Sequence, residues 1–218
     1  MGRTADWHPK KRLGQGLVVE RDGQLGYAKL SRIEVEILAA CLAQLVDVSV
    51  PQVEKGNVKG IEFSCAISHV HSCRSRPFVE GEEQTRTSYS QPESAALKEA
   101  SGLLAFLPWI SATDHNNDRN LVLDELSGGL FRIRAVDFEH AFQWSDGEES
   151  IAPYAPPALV NNRDPLLVQK HLALIEKLTP AQIARCVARS GLATQIADVL
   201  QRRQRLLRAA LKKFQWLD

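Results

Sequence analysis

Long apolar runs, a large net charge and a high cysteine content are all absent from this 218-residue sequence. No apolar run approaches the roughly 18 residues that a membrane-spanning helix needs. The opening segment, MGRTADWHPKKR, is polar and lacks the apolar stretch of a secretory signal peptide. The formal net charge is +1, which gives no argument for nucleic acid as the main partner. The sequence therefore predicts a cytoplasmic protein without a transmembrane segment.

The four cysteines are scattered through apolar or helical stretches of the sequence. A disulfide framework is typical of short secreted chains, and this sequence shows no sign of secretion. We therefore expect reduced thiols, in keeping with a cytoplasmic location. The cysteines are Cys41, Cys65, Cys73 and Cys186.

The segment from Trp109 to Phe142 carries the densest group of potential metal ligands. A polar loop follows an apolar helix, a strand pair follows the loop, and an aspartate follows the second strand. Phosphoryl transfer needs positioned charge more than covalent chemistry, and Mg²⁺ prefers the oxygen atoms that such residues provide. The pattern therefore indicates a phosphotransferase that holds Mg·ATP. The residues are Asp114, Asn117, Asp118 and Asn120 in the loop, strands at Leu121–Leu123 and Ile133–Val136, a turn at Gly128-Gly129, and Asp137 after the second strand.

A lysine near the N-terminal end of the chain is the candidate phosphate ligand. Arg21-Asp22-Gly23 predicts a tight turn between strands Leu13–Glu20 and Leu25–Leu30, and the second strand contains Lys29. A glutamate in the following helix is its candidate ion-pair partner, although a solvated lysine and a solvated glutamate are the simpler alternatives. The G-x-G of LGQGLVV would let the first strand approach a phosphate, but a surface turn is its commoner explanation. The candidate nucleotide-binding residues are therefore Lys29, Glu36, Gly14 and Gly16.

Taken in order, these motifs resemble the HipA-like kinases and, more distantly, the phosphatidylinositol 3/4-kinase-like branch of the protein-kinase-like fold. The family's turn and third strand with its ATP lysine are similar to RDGQLGYAKL, and its helix and next strand to EILAACL and VSVP. The polar loop and the motif VDFEHAF complete the series. The resemblance extends from about Leu13 to Phe142, and a helical tail also fits it.

The resemblance implies a two-lobed α+β fold, with a small antiparallel sheet and one helix in the first lobe and a mainly helical second lobe. We expect one kinase-like domain over residues 1–218, long enough to bury a sizeable core. Its first lobe would occupy approximately residues 1–75, a linker or mobile loop 76–92, and the second lobe 93–218.

The resemblance also implies roles for the motif residues. Lys29 would bind phosphate and pair with Glu36, while Asn120 and Asp137 would hold Mg²⁺. Asp114 would orient or deprotonate the acceptor hydroxyl. A turn rich in Asn and Asp explains the polar loop by itself, but it does not explain the lysine or the aspartate after the strand pair.

The spacing between Asp114 and Asn120 departs from the family's pattern. The family usually places its catalytic Asp and its metal Asn five positions apart, whereas here the interval is six. Three explanations are open: the loop carries one extra residue, Asp118 takes the catalytic role, or the site is degenerate. We favour the extra residue, because Asn120 immediately precedes a strand, as the family's metal Asn does.

The predicted function is ATP- and Mg²⁺-dependent phosphoryl transfer, and by resemblance alone the acceptor is a serine or threonine of a protein. A lipid or small-molecule kinase uses the same machinery, and a catalytically degenerate binding module fits the irregular spacing. The predicted cofactors are ATP and Mg²⁺. The predicted partners are a nucleotide and a protein substrate.

Local patterns elsewhere predict individual elements. Ser31-x-x-Glu34 is typical of a capping box, and Thr179-Pro180 predicts a helix start whose helix ends at Gly191. His69, His71 and Cys73 alternate along a predicted strand, where a zinc site is conceivable but a plain strand is the better interpretation. Basic residues line the last predicted helix, Ala193 to Trp216, which favours a solvated packing helix over contact with nucleic acid or anionic lipid. They are Arg202, Arg203, Arg205, Arg208, Lys212 and Lys213.

Overall fold

Strands dominate the first part of the chain and helices the rest in the computed structural model, which describes residues 6–13, 16–70, 75–79, 85–144 and 150–217. A five-stranded antiparallel sheet and one helix make up the first lobe. A three-stranded sheet and six α-helices make up the second lobe, as far as those residues show. The arrangement is the two-lobed α+β fold predicted from the sequence.

The strands of the first lobe lie in the order β1-β2-β3-β5-β4, and each pairs antiparallel with its neighbours. Asp22 and Gly23 connect β2 to β3 with φ angles of 51° and 77°, which suit a two-residue hairpin turn. The predicted hairpin is therefore present. The elements are β1 (His8–Leu13), β2 (Gly16–Arg21), β3 (Gln24–Lys29), α1 (Ile33–Leu45), β4 (Val53–Gly56) and β5 (Cys65–Val70).

Trp7 anchors a small apolar core against the first sheet. It is fully buried, and its indole N–H donates to Glu54 Oε1 at 2.8 Å. Gly26 and Gly56 make room for the ring, since a Cβ atom on either would lie within 3.3 Å of it. The polar opening of the sequence thus contributes a strand and a core residue, neither of which the motif analysis predicted.

Helix α1 begins without the predicted capping box. Arg32 precedes the helix in the left-handed region, with φ at 52°, and no side chain of the described residues caps the first turn. The assignment of Ser31 and Glu34 to a capping box was therefore wrong. The carbonyl of Arg32 instead accepts from the backbone N–H groups of Val35 and Glu36.

The second lobe contains the predicted strand pair and helices. Gly128 and Gly129 turn the chain between β7 and β8 with positive φ, and a short β6 adds a third strand to this sheet. The predicted helix start at Thr179 and its end at Gly191 are both confirmed. The elements are β6 (Ser75–Pro77), α2 (Gln91–Glu99), α3 (Leu103–Trp109), β7 (Leu121–Glu125), β8 (Phe131–Ala135), α4 (Pro157–Asn161), α5 (Pro165–Glu176), α6 (Pro180–Ser190) and α7 (Gln195–Lys213).

The apolar helix predicted before the polar loop is divided into α2 and α3 by a 3₁₀ turn at Ala100–Gly102. Gly102 contacts the ring of His171 so closely that a Cβ atom would lie 2.5 Å from its Cγ. Periodicity does not reveal this break, because it depends on a distant packing partner.

Cys41 of α1 and Cys186 of α6 form a disulfide, with their Cα atoms 5.7 Å apart. The expectation of reduced thiols was therefore wrong for this pair. The two cysteines are 145 positions apart in the sequence, so that only the packing of the helices brings them together. Cys65 is free and buried, and Cys73 lies outside the described residues.

Arg203 of α7 is buried rather than part of a solvated basic face. Its guanidinium donates to the carbonyl oxygens of Pro108 at 2.6 Å, Trp109 at 2.8 Å and Ser150 at 3.2 Å. The first two carbonyls end α3, so Arg203 caps that helix. Among the helices described here, none is long and apolar enough to cross a membrane.

Candidate active site

Lys29 lies where the first sheet, α1 and the loop after β8 meet. Its Nζ donates to Glu36 Oε1 at 2.5 Å and to Asp137 Oδ1. The lysine and Glu36 are largely buried, whereas the side chain of Asp137 is 40 % exposed. The structure therefore brings together a cation and two carboxylates that are up to 108 positions apart in the sequence.

Glu36 also accepts a hydrogen bond from the backbone N–H of Phe138 at 2.9 Å. One carboxylate oxygen thus holds both the lysine and the backbone just after Asp137. Burial lowers the pKa of Lys29, but the two adjacent carboxylates outweigh burial and raise it above its usual value of 10.5. Lys29 therefore keeps its positive charge at neutral pH.

Asp137 has a backbone conformation that few residues other than glycine adopt, with φ at 65°. Aspartate tolerates this region better than most side chains, and such conformations concentrate at functional sites. Asp137 lies two positions after the end of β8, and its conformation turns the chain there. As a result, the carboxylate stays accessible while the next residue, Phe138, is buried.

Asp114 and Asn120 face each other across the polar loop. The amide nitrogen of Asn120 donates to Asp114 Oδ2 at 3.0 Å and to the carbonyl of Asp114 at 3.3 Å. The backbone N–H of Val136 donates to the carbonyl of Asn120 at 2.9 Å, which joins this loop to the strand end before Asp137. The segments that carry the predicted catalytic residue Asp114 and the predicted metal ligands Asn120 and Asp137 are therefore adjacent.

His115 contacts the carboxylate of Asp114, and the sequence analysis did not predict it as a site residue. It is fully buried, with Nδ1 3.0 Å from Asp114 Oδ1 and Nε2 3.1 Å from the carbonyl of Val136. Its ring stacks on Phe138 with 5.0 Å between the ring centres. Burial raises the pKa of Asp114, but the hydrogen bond with His115 outweighs burial and lowers it below 3.8. The adjacency of His115 to Asp114 was the one sequence signal for this contact.

Asp118 has a structural position that does not fit a catalytic role. It is fully buried, and its carboxylate accepts from the backbone N–H groups of Arg86 at 3.0 Å and Ala158 at 2.9 Å. Burial raises its pKa, against the effect of these two donors. Of the three explanations for the loop spacing, the one that makes Asp118 catalytic is therefore unsupported.

A 3₁₀ turn at Asp118–Asn120 shortens the loop between Asp114 and Asn120. The side chain of Asn117 accepts from the N–H of Arg119 at 2.8 Å and donates to the carbonyl of Asp114 at 3.1 Å. Because the chain turns tightly here, Asn120 stays within hydrogen-bonding distance of Asp114 although it lies six positions further along the sequence. This geometry agrees with one extra residue in the loop.

Gly16 packs against the ring of Tyr27, where a Cβ atom would lie 2.5 Å from Cζ. The glycine is therefore required for packing, and its contact with phosphate stays a prediction. Gly14 lies outside the described residues.

His69 contacts neighbours on the first sheet, with Nδ1 2.8 Å from the amide nitrogen of Gln24 and its ring edge-on to Trp7. His71 and Cys73, its partners in the conceivable zinc site, lie outside the described residues. Within the described ranges, no three His, Cys, Asp or Glu side chains cluster as metal ligands would.

The oxygen atoms near Asp137 suit Mg²⁺ nevertheless. This ion is usually held by one or two protein side chains together with phosphate oxygens and water, so it needs no cluster of three. Asn120 uses its amide nitrogen to bind Asp114, which leaves its oxygen for a cation. The exposed carboxylate of Asp137 would supply a second oxygen ligand, so the residue types present fit the ion.

Similar structures include a kinase. The chain matches the crystal structure of the Helicobacter pylori proinflammatory kinase CtkA with a TM-score of 0.56 and 10% sequence identity, over 93% of this chain and 92% of that one. It also matches HipA of Shewanella oneidensis MR-1, from a complex with HipB and operator DNA, with a TM-score of 0.28 and 11% identity, over 89% of this chain and 52% of that one. No protein-family model matches the sequence, and neither does a curated protein. The kinase-like fold predicted from the sequence is thus confirmed, since this chain shares its fold with the kinase CtkA.

Proposed function

We propose that the protein is an ATP- and Mg²⁺-dependent phosphotransferase, and that it acts as a HipA-like serine/threonine protein kinase. The observation that carries the proposal is the placement of Lys29 between Glu36 and Asp137, at the junction of the two lobes. A buried lysine fixed by a helix glutamate is what a kinase needs to hold phosphate groups in place. The fold that the chain shares with the kinase CtkA supports the proposal.

Each residue then has a defined task. Lys29 binds phosphate oxygens, and Glu36 keeps the lysine oriented. Asn120 and Asp137 hold Mg²⁺, which neutralises charge on the phosphates when it is bound. Asp114, kept ionised by His115, accepts the proton of the acceptor hydroxyl.

The proposal also includes Gly14 and Gly16, where the predicted strand Leu13–Glu20 would approach the phosphates. We further propose a cytoplasmic location, with a nucleotide and a protein substrate as partners. Contact of α7 with nucleic acid or a membrane surface is the lesser alternative, because buried Arg203 is not available to it.

A catalytically degenerate binding module is the second candidate, and one specific contact favours it. Lys29 occupies one oxygen, Oδ1, of the Asp137 carboxylate that would hold the metal ion. A protein in which this ion pair persists would bind nucleotide weakly and transfer no phosphate. A lipid or small-molecule kinase differs from the favoured function only in its acceptor.

A thermal melt with and without Mg·ATP tests the nucleotide site. At about a hundred times its dissociation constant, the ligand should add roughly 2.7 kcal/mol, which raises Tm by roughly 5–10 °C. Asp137→Asn should lose the Mg²⁺-dependent shift, and Asp198→Asn, at an exposed position of α7, should keep it. A wild-type protein that melts cooperatively without any shift would disprove the kinase proposal.

Transfer of labelled phosphate separates the active kinase from the binding module. Asp114→Asn should keep the thermal shift but lower transfer by about 10²–10⁴-fold, because the substituted side chain cannot accept the proton. A protein, phosphatidylinositol vesicles and small alcohols offered in parallel identify the acceptor class. Nucleotide binding without transfer to any of them would favour the degenerate module.

A further inference from the structure

Helix α1 carries the site glutamate and a disulfide cysteine on different sides. Glu36 points to Lys29 and to the backbone of Phe138. Cys41 lies five positions later, which corresponds to a rotation of about 140° around the helix axis, and it is bonded to Cys186. The disulfide therefore holds the helix that positions Glu36 without itself belonging to the site.

The partner helix belongs to the other lobe. Helices α1 and α6 run antiparallel. Cys41 is bonded to Cys186, while a Cβ atom on Gly191, at the end of α6, would lie 3.9 Å from Cγ of Glu34, near the start of α1. The bond thus ties α1 of the first lobe to the helical lobe. Any displacement of α1 from α6 would carry Glu36 away from Asp137.

We propose that Cys41 and Cys186 form a reversible thiol–disulfide switch that sets the affinity of the site for Mg·ATP through the position of α1. With the bond formed, Glu36 is fixed beside Lys29 and keeps the lysine oriented to bind phosphate. With the bond reduced, α1 is held by packing alone and spends less time in the position that supports the lysine. This inference rests on the proposed function, whose site it regulates.

The switching step is thiol–disulfide exchange with a small disulfide. The two thiols lose two hydrogen atoms in total and form the S–S bond, while the small disulfide gains them and becomes two thiols. A dithiol reductant reverses the step: it reduces the protein disulfide to two thiols and is itself oxidised to a disulfide. In both directions the exchange begins at the sulfur of Cys41, because Cys41 is partly exposed whereas Cys186 is only 3% exposed.

The proposed cytoplasmic location supports reversibility over a permanent bond. Disulfides in the cytosol are mostly transient and either catalytic or redox-sensing. The apolar residues of α1 remain in the shared core when the bond is reduced, so the protein stays folded. A moderate change in nucleotide affinity is therefore expected rather than loss of structure.

Titration of Mg·ATP into the oxidised and the reduced protein tests the switch. Reduction should raise Kd about 3- to 10-fold, since the apparent affinity falls with the fraction of molecules in the competent state. Cys41→Ser and Cys186→Ser should each match the reduced wild type and ignore reductant. Cys65→Ser, which removes the free buried thiol, should respond to reductant as the wild type does. Equal Kd values in the two redox states would overturn the proposal.

Hydrogen exchange provides a readout that needs no nucleotide. The amide of Phe138, which donates to Glu36, and the amides of α1 should exchange severalfold faster after reduction. If neither form binds Mg·ATP, the proposed function fails, and faster exchange would still show that the disulfide controls α1. Unchanged exchange at these amides, or free thiols at Cys41 and Cys186 after oxidation, would overturn the switch itself.

Discussion

Glu93 is the buried acidic side chain that orders the segment before α2. Its carboxylate accepts from both terminal nitrogens of Arg86 at 2.9 and 3.0 Å, from Arg76 at 3.2 Å, and from the backbone N–H of Ser90 at 2.9 Å. The N–H of Arg86 in turn donates to Asp118 of the polar loop. Glu93 thus connects the first turn of α2 to the loop that carries the candidate catalytic residue.

The charge of Glu93 predicts a pH-dependent contribution to stability. Burial alone would raise its pKa, but the hydrogen bonds from Arg86 and Ser90 outweigh burial and lower the pKa from 4.5 to about 2. A lowered carboxylate pKa stabilises the fold above pH 4.5, and this contribution disappears as the pH falls to about 2. Glu93→Gln should therefore cost about 2–3 kcal/mol at neutral pH, with the loss shrinking across that range. Urea unfolding of both proteins at several pH values measures this, and a constant difference would contradict it.

Individual site residues were predictable where the motif itself fixes them. Lys29, Glu36 and Asp137 each follow a recognisable turn, helix start or strand end, and the structure brings them together. His115 was not predicted, because its role depends on a contact with the carbonyl of Val136, far along the chain. Glu93 was not predicted as a buried ion-pair residue for the same reason.

Among the elements, α3 depends on a side chain from α7 at its C-terminal end. The last carbonyls of a helix lack partners inside that helix, and Arg203 supplies donors to those of Pro108 and Trp109. The indole N–H of Trp109 returns a bond to the carbonyl of Leu200 at 3.0 Å. The two helices are therefore joined by polar bonds inside an apolar contact.

Arg203→Met tests this joint, because methionine keeps the apolar stem and removes the donors. We expect a loss of about 2–4 kcal/mol in the free energy of unfolding, since buried carbonyls lose charged donors. Arg202→Met is the matched control, at an exposed position next in the sequence, and should stay within about 0.5 kcal/mol of the wild type. Equal effects of the two substitutions in urea unfolding would mean that Arg203 does not hold α3.

Most elements set by local signals were predictable, although the capping box predicted at Ser31 is not formed, and those set by distant contacts were not. The turn at Asp22-Gly23 and the helix start at Thr179 depend on residues within a few positions, and both are present. Trp7, just before β1, is buried against the first sheet, and Gly102, just before α3, packs against His171, so both contacts involve residues distant in the sequence. The disulfide likewise depends on the packing of α1 against α6.

In the molecule as a whole, helix α1 contributes to the larger of two apolar cores and packs against the sheet that carries the smaller one. The small core contains Trp7, Val19 and Ile67, while the large core fills the second lobe and includes Leu38 and Leu42 of α1. Helix α1 also packs against β4 and β5 of the first sheet. A disturbance of the small core should therefore reach the second lobe through α1.

Trp7→Ala measures this coupling, since it empties the small core and leaves every predicted site residue in place. The loss of a buried aromatic side chain should cost about 3–5 kcal/mol. Because α1 packs against the first sheet and also belongs to the large core, far-ultraviolet circular dichroism, which follows helices mainly of the second lobe, should show a urea midpoint below that of the wild type. Phe63→Ala, at an exposed aromatic side chain, should leave this midpoint unchanged. A helix midpoint that stays at the wild-type value in Trp7→Ala would mean that the lobes unfold independently, and α1 would then not transmit changes between them.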